Sequence, residues 1–135
     1  MFDVLDMGAS GLKAQRTRLD VIAQNILNAD TTRSADGKVE PYRRKFATLV
    51  SGRSAGEPNK PGVHVGKVES DKAPYVPKFE PGHPDADKNG MVMYPNVDLS
   101  VEFVNAIEAS RAYEANVNLM DVTKQMMSST LRLIA

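Results

Sequence analysis

The chain contains no cysteine and no tryptophan. Without cysteine there is no disulfide framework, no thiolate zinc site, no cysteine-ligated iron–sulfur cluster and no cysteine nucleophile. Such a chain suits an oxidising or a reducing compartment equally. An excess of charge is missing too: 17 Lys+Arg balance 17 Asp+Glu over 135 residues. A dedicated nucleic-acid binder carries a strong basic excess, so the balance predicts no nucleic-acid partner. Long apolar runs are also absent. The longest is Met91-Val92-Met93-Tyr94, far short of the roughly 20 residues that span a bilayer. Asp3 and Asp6 stand where a secretory signal has its basic region, which predicts no cleaved signal. What remains is 41% hydrophobic residues, enough to build a core.

Proline and glycine are not scarce but confined. All eight prolines lie between residues 41 and 95, and seven of the nine glycines between 37 and 90. Proline breaks helix interiors and glycine weakens them by about 1 kcal/mol each. Long helices are therefore predicted in the flanks, 1–32 and 96–135, with a β- and turn-rich segment over 33–95.

Both flanks carry an apolar stripe with alternating spacings of three and four. In the first it runs Phe2, Leu5, Ala9, Leu12, Arg16, Leu19, Ala23, Ile26, widened by Val4 and Ile22. In the second it runs Leu99, Phe103, Ala106, Ser110, Tyr113, Val117, Met120, Lys124, Met127, Leu131, Ile134, with Ile107 among further apolar residues beyond it. Such a stripe is the pattern of one helix packing on another. The two helices pack on each other, on copies of themselves, or on both. Arg16 and Lys124 interrupt the stripes, either fixing register or snorkelling to the rim. Asp98 and Ser100 are candidate N-caps of the second helix.

In the middle, residues 63–69 alternate with a slip at Gly66–Lys67, the pattern of a bulged strand. Residues 75–79 read as an edge strand, since Pro77 cannot donate to a ladder. Asn89-Gly90 signals a turn before Met91–Tyr94. Residues 51–62 read as an exposed flexible loop.

Short catalytic and ligand motifs fail on context. Gly52-Arg53-Ser54-Ala55-Gly56 has the spacing of a nucleophile elbow, but Pro58 and Pro61 forbid the helix that must follow. Asp85-Ala86-Asp87-Lys88-Asn89-Gly90 starts like a calcium loop, yet its twelfth position is Asn96 instead of glutamate. His64 and His83 lack partners at metal spacing. Arg43-Arg44-Lys45 between Tyr42 and Phe46 is the one basic cluster, which reads as a solvated face or an ion-pair interface. No enzyme activity, cofactor or metal is predicted. The competing readings are a cytoplasmic coiled-coil adaptor gripping a partner helix, a hydrolase using Ser54, and a calcium module using Asp85 and Asp87.

Longer motifs point elsewhere. Ser10-Gly11-Leu12-Lys13-Ala14-Gln15-Arg16 opens a run that ends in Asn25-Ile26-Leu27-Asn28-Ala29-Asp30-Thr31. That run resembles the N-terminal signature of the axial proteins of the bacterial flagellum, the rod, hook and hook-associated subunits. Thr32-Arg33-Ser34 replaces the Pro-Gly-Tyr of many members. This departure, Pro41-Tyr42-Arg43-Arg44-Lys45, Glu80-Pro81-Gly82-His83-Pro84-Asp85 and Tyr94-Pro95-Asn96-Val97-Asp98 resemble the rod branch. So does Ala109-Ser110-Arg111-Ala112-Tyr113-Glu114-Ala115-Asn116.

The resemblance implies a structural subunit of the proximal rod in the basal body, transmitting torque for motility. It implies a mainly α fold with a small β-rich middle, the terminal helices paired as a coiled coil. Copies of the chain and other rod subunits are the implied partners, assembled helically. The flagellar type III export apparatus is implied as the route out, without a cleaved signal. The assembly seam is expected at Leu5, Leu12, Leu19, Ile22, Ile26, Phe103, Ile107, Tyr113, Val117, Met120, Met127 and Leu131. Asn25, Asn28, Ala29, Asp30, Thr31, Ser110, Arg111, Tyr113 and Asn116 carry the family motif. Phe46 is expected in the core, and the resemblance also makes it a candidate export hydrophobe.

Overall fold

The computed structural model describes residues 2–135. Helix α1 spans Phe2–Leu27, and helix α2 spans Leu99–Ile134. Between them lie strands β1 (Lys45–Ser51), β2 (Val63–Ser70), β3 (Val76–Phe79) and β4 (Met91–Tyr94). β1 pairs antiparallel with β2, and β3 with β4, in two separate two-stranded sheets. The fold is therefore mixed α and β, with a helix at each end. At 26 and 36 residues, the helices are about 39 and 54 Å long.

The helices form where proline is absent, and their ends have local causes. Asp98 starts α2: its carboxylate accepts from Ser100 N at 2.9 Å and Val101 N at 3.4 Å. Glu102 in the first turn suits the positive end of the helix dipole. α1 ends where Asn28 Nδ2 bonds back to the Gln24 carbonyl at 2.8 Å and Thr31 N to the Asn28 carbonyl at 3.2 Å.

The expected slip in β2 is a bulge. Thr48 pairs with Lys67 but Leu49 with Val65, so Gly66 is left over. A Cβ there would stand 2.6 Å from Val50 Cγ2, so any larger residue would have to displace the Val50 side chain. The turn at Gly90 has φ +76°, open to glycine and strained for other residues. It leads into β4, whose Val92 and Tyr94 are buried.

Two expectations change. Phe46 is not in the core: Lys45, Ala47 and Leu49 of β1 are half-buried, while Phe46, Thr48 and Val50 are exposed. Alternation along a strand puts the phenylalanine on the outer face. The 51–62 segment is not a free loop either. Gly52 N bonds to the Gly62 carbonyl at 2.9 Å, and Arg53 pairs with Asp3 and Asp6 at the start of α1. Ser10 Oγ accepts Val63 N at 3.1 Å. The long β1–β2 connection is pinned to α1 at both ends.

Candidate functional site: the helix pair and its polar node

α1 and α2 run antiparallel and pack on each other, while β1 and β2 pack on α1. The helices meet closely at two glycines. A Cβ on Gly8 would lie 2.7 Å from Met120 Cγ, and one on Gly11 would lie 2.7 Å from Asn116 Nδ2. The Met120 and Asn116 side chains fill the space that a larger residue at these positions would need. Farther along, Ala14, Val21, Ile22 and Asn25 of α1 are buried, as are Glu102, Ala109 and Thr123 of α2.

At the far end the contact becomes polar. Asn25 and Glu102 are both 0% exposed. Asn25 Nδ2 donates to the Lys45 carbonyl at 2.8 Å and to Glu102 Oε2 at 3.1 Å. Its Oδ1 accepts Lys45 N at 2.8 Å and the Tyr42 hydroxyl at 3.0 Å. One side chain thus pairs with the backbone of β1 as another strand would. Arg44 Nε donates to Glu102 Oε1 at 2.6 Å, and Arg44 also approaches Asp71 at 3.8 Å. Burial, and then the Glu102 charge, push the Tyr42 hydroxyl above its usual pKa, so it remains a donor to Asn25. Every member of this node has a partner, as buried polar groups require.

A second latch holds the β3–β4 hairpin to the end of α1. Thr32 Oγ1 donates to Asp85 Oδ2 and Arg33 Nε to Asp85 Oδ1, both at 2.6 Å. The Arg33 hydrogen bond, followed by that of Thr32, holds the Asp85 carboxyl below its usual pKa. Asp87 accepts Asn89 N and Met91 N at 2.8 and 2.9 Å. The half-motif of a calcium loop is thus a hairpin turn with its carboxylates already engaged. Ser54 lies exposed in a loop with no helix after it. The basic cluster is consumed internally: Arg43 lies 4.4 Å over the Tyr75 ring, and Arg44 serves Glu102.

Of the expected seam, Ile22 is buried. Leu5, Leu12, Leu19, Ile26, Tyr113, Val117, Met120 and Met127 are half-buried. Phe103, Ile107 and Leu131 are exposed, Phe103 by 55%. Within the chain the line of closest approach runs one residue before the expected one, with Met120 and Ile22 apart. It passes Gly8, Gly11 and Asn25 on α1, and Glu102, Ala109, Asn116 and Thr123 on α2. The physical reason is size. Small or hydrogen-bonded side chains take the tightest line, and large apolar ones flank it. Arg16 and Lys124 both reach solvent.

Most of the family motif clusters at the node end. Asn25 is its centre, Asn28 and Thr31 end α1, and Thr31 O accepts Tyr42 N at 3.1 Å. Ala29 is half-buried and Asp30 exposed. On α2, Asn116 lies against Gly11, Ser110 is half-buried and Arg111 exposed. Sequence reasoning missed Glu102, and it took Arg44 only as part of a cluster. The available signal was the seven-residue spacing of Glu102, Ala109, Asn116 and Thr123, a line that a search for hydrophobes passes over.

Comparison with known proteins agrees with this geometry. The family described as "Flagella basal body rod protein" matches residues 5–33, which cover nearly all of α1 and the motif. The family described as "Flagellar basal body rod FlgEFG protein C-terminal" matches residues 88–133, β4 and nearly all of α2. The chain is similar to the flagellar basal-body rod protein FlgC of Borreliella burgdorferi, 41% identical across 99% of this chain and 97% of the relative. It is 41% identical to that of Salmonella typhimurium across 98% and 97%. With the protein of that name from Bacillus subtilis it shares 37% across 98% and 97%. Identity at this level over nearly the whole length of both partners shows that the chain belongs to the family of flagellar basal-body rod proteins named FlgC.

Proposed function

We propose that the chain is a structural subunit of the proximal rod, built into it through α1 and α2, with copies of itself and other rod subunits as neighbours. One observation carries this reading: the chain exposes 9106 Å². A compact monomer of 14.7 kDa exposes about 6,900 Å². The excess, about 2,200 Å², equals the share of two to three standard interfaces at about 800 Å² per partner. Much of it is apolar: Phe103, Val104, Ile107, Leu131, Leu133 and Ile134 all face outward. Exposed apolar surface at both ends of α2 suits protein contacts.

In this reading the pair α1–α2 supercoils as a coiled coil. The expected seam residues left half-buried or exposed by the single chain complete their burial against neighbours. Segments 1–32 and 96–135 then form the assembling part, and 33–95 the outer part. Torque passes through a subunit whose β1–β2 hairpin is bolted to both helices by the Asn25–Glu102–Arg44 node. Export through the flagellar type III apparatus suits a chain with no disulfide to form.

Deleting the gene in a motile host should abolish rods and motility, scored by electron microscopy and swimming. Intact rods in the deletion strain would overturn the proposal. Returning the gene with Leu19→Asp or Met120→Asp should fail to restore motility, because an unpaired buried carboxylate costs several kcal/mol.

A further inference from the structure

A cleft of ≈ 270 Å³ opens between α1, the pinned connection and β2. Lys13, Arg53 and His64 line it together with the hydroxyls of Ser10, Thr17 and Ser54, and no carboxylate lines it. Arg53 Nε is buried and has no hydrogen-bond acceptor among the described residues. Lys13 makes no ion pair among the described residues, unlike Arg18, Arg33 and Arg44. The Ser10 and Thr17 hydroxyls already donate to the Met7 and Lys13 carbonyls, which leaves Lys13, the Arg53 Nε and the Ser54 hydroxyl as donors suited to a carboxylate.

The same chain carries the complement. Residues 96–135 hold three basic and five acidic residues, net −2. On α2, Glu114 and Asp121 are exposed and have no ion-pair partner among the described residues. Being seven residues apart, they lie on one stripe, about 10 Å from each other. This stripe faces away from α1, whose contact line on α2 is Glu102, Ala109, Asn116 and Thr123.

We infer that the Lys13–Arg53–His64 cleft receives an acidic side chain, Glu114 or Asp121, from α2 of a second copy of the chain. The inference rests on the proposed rod assembly and specifies one contact within it. Arg53 already neutralises Asp3 and Asp6, so Lys13 is the cation free for the partner. Such a contact supplies direction and register more than affinity.

The test uses the full chain expressed in a flagellated host, with incorporation into isolated basal bodies measured by quantitative immunoblotting. Lys13→Glu should lower incorporation at least tenfold, with the melting temperature of the purified chain unchanged. Adding Glu114→Lys or Asp121→Lys to the same chain should recover most of the loss. Unimpaired incorporation of Lys13→Glu would overturn the inference, as would a loss that neither lysine change rescues. Inorganic phosphate is the control ligand. If it raises the melting temperature of the wild type but not of Lys13→Glu, while incorporation is unaffected, the cleft takes a free anion and the inference fails. Absence of the wild-type chain itself from basal bodies would sink the rod reading, a separate outcome.

Discussion

The two ends of the helix pair are built on opposite principles. At one end α1 and α2 are joined through Asn25, Glu102, Arg44 and Tyr42, all hydrogen-bonded and mostly buried. At the other end α2 outruns α1. Gly8 faces Met120 and Phe2 starts α1, so α2 beyond about residue 127 has no partner helix. There Leu133 and Ile134 are 88% and 78% exposed. The polar end is complete within the chain, and the apolar end is not. Hydrogen-bonding specificity lies where the chain satisfies it alone, and uncovered apolar surface lies where α1 gives α2 no cover.

That contrast can be broken from either side. The largest effect is expected from Glu102→Ala, which strands Arg44 and Asn25 and should destabilise the chain by about 3–5 kcal/mol. The urea midpoint of the purified protein measures it, and a loss below about 1 kcal/mol would mean that the node is ornamental. Gly11→Val comes next. Its Cβ would meet Asn116 Nδ2 at 2.7 Å, and overpacking of this kind costs about 1–3 kcal/mol. The same assay should show a drop, whereas Gly82→Ala tests a glycine whose Cβ would meet nothing within 4 Å.

A smaller effect belongs to the Asp85 latch. Its carboxyl is held below the usual value by Arg33 and Thr32. The stability it adds is therefore present above the ordinary carboxylate range, about pH 4, and is lost as pH falls through the lowered native value. Wild type and Asp85→Asn should differ in melting temperature at pH 7 and converge in acid. A gap that persists at the lowest pH would contradict the assigned cause. The smallest change in the free chain is expected from Leu133→Ser with Ile134→Ser, within about 0.5 kcal/mol. Its effect on incorporation into the rod should be large. If the double variant unfolds the free chain, the tip is not the open surface described.

The helices, the bulge at Gly66 and the turn at Gly90 were legible because each depends on local chemistry. Proline placement marked where helices stop, and glycine marked where the ladder slips. The position of Phe46 was not legible. No strand is predicted from sequence over residues 45–51, and only the packing of β1 on α1 decides which face is inside. The contact line within the chain lies one residue before the hydrophobic stripe. Hydrophobic spacing finds the large side chains, while the backbones approach along the small ones, Gly8, Gly11 and Ala109. Glu102 lay hidden for the same reason, since a lone acid in a first helical turn looks like a response to the helix dipole. What linked Asn25 to function was the long family motif, whose physical role becomes plain only once Lys45 and Tyr42 are seen against it.

The antiparallel pairing has a consequence in time. Gly8 meets Met120, and Gly11 meets Asn116, so the contacts between the helices join residues that are 112 and 105 positions apart in the chain. Closing a loop of that length costs about 4 kcal/mol in chain entropy. It cannot begin until α2 has been made. Until then Asn25 has no Glu102, although β1 and β2 can already pack on α1. The helix pair is thus the part of the fold that closes last.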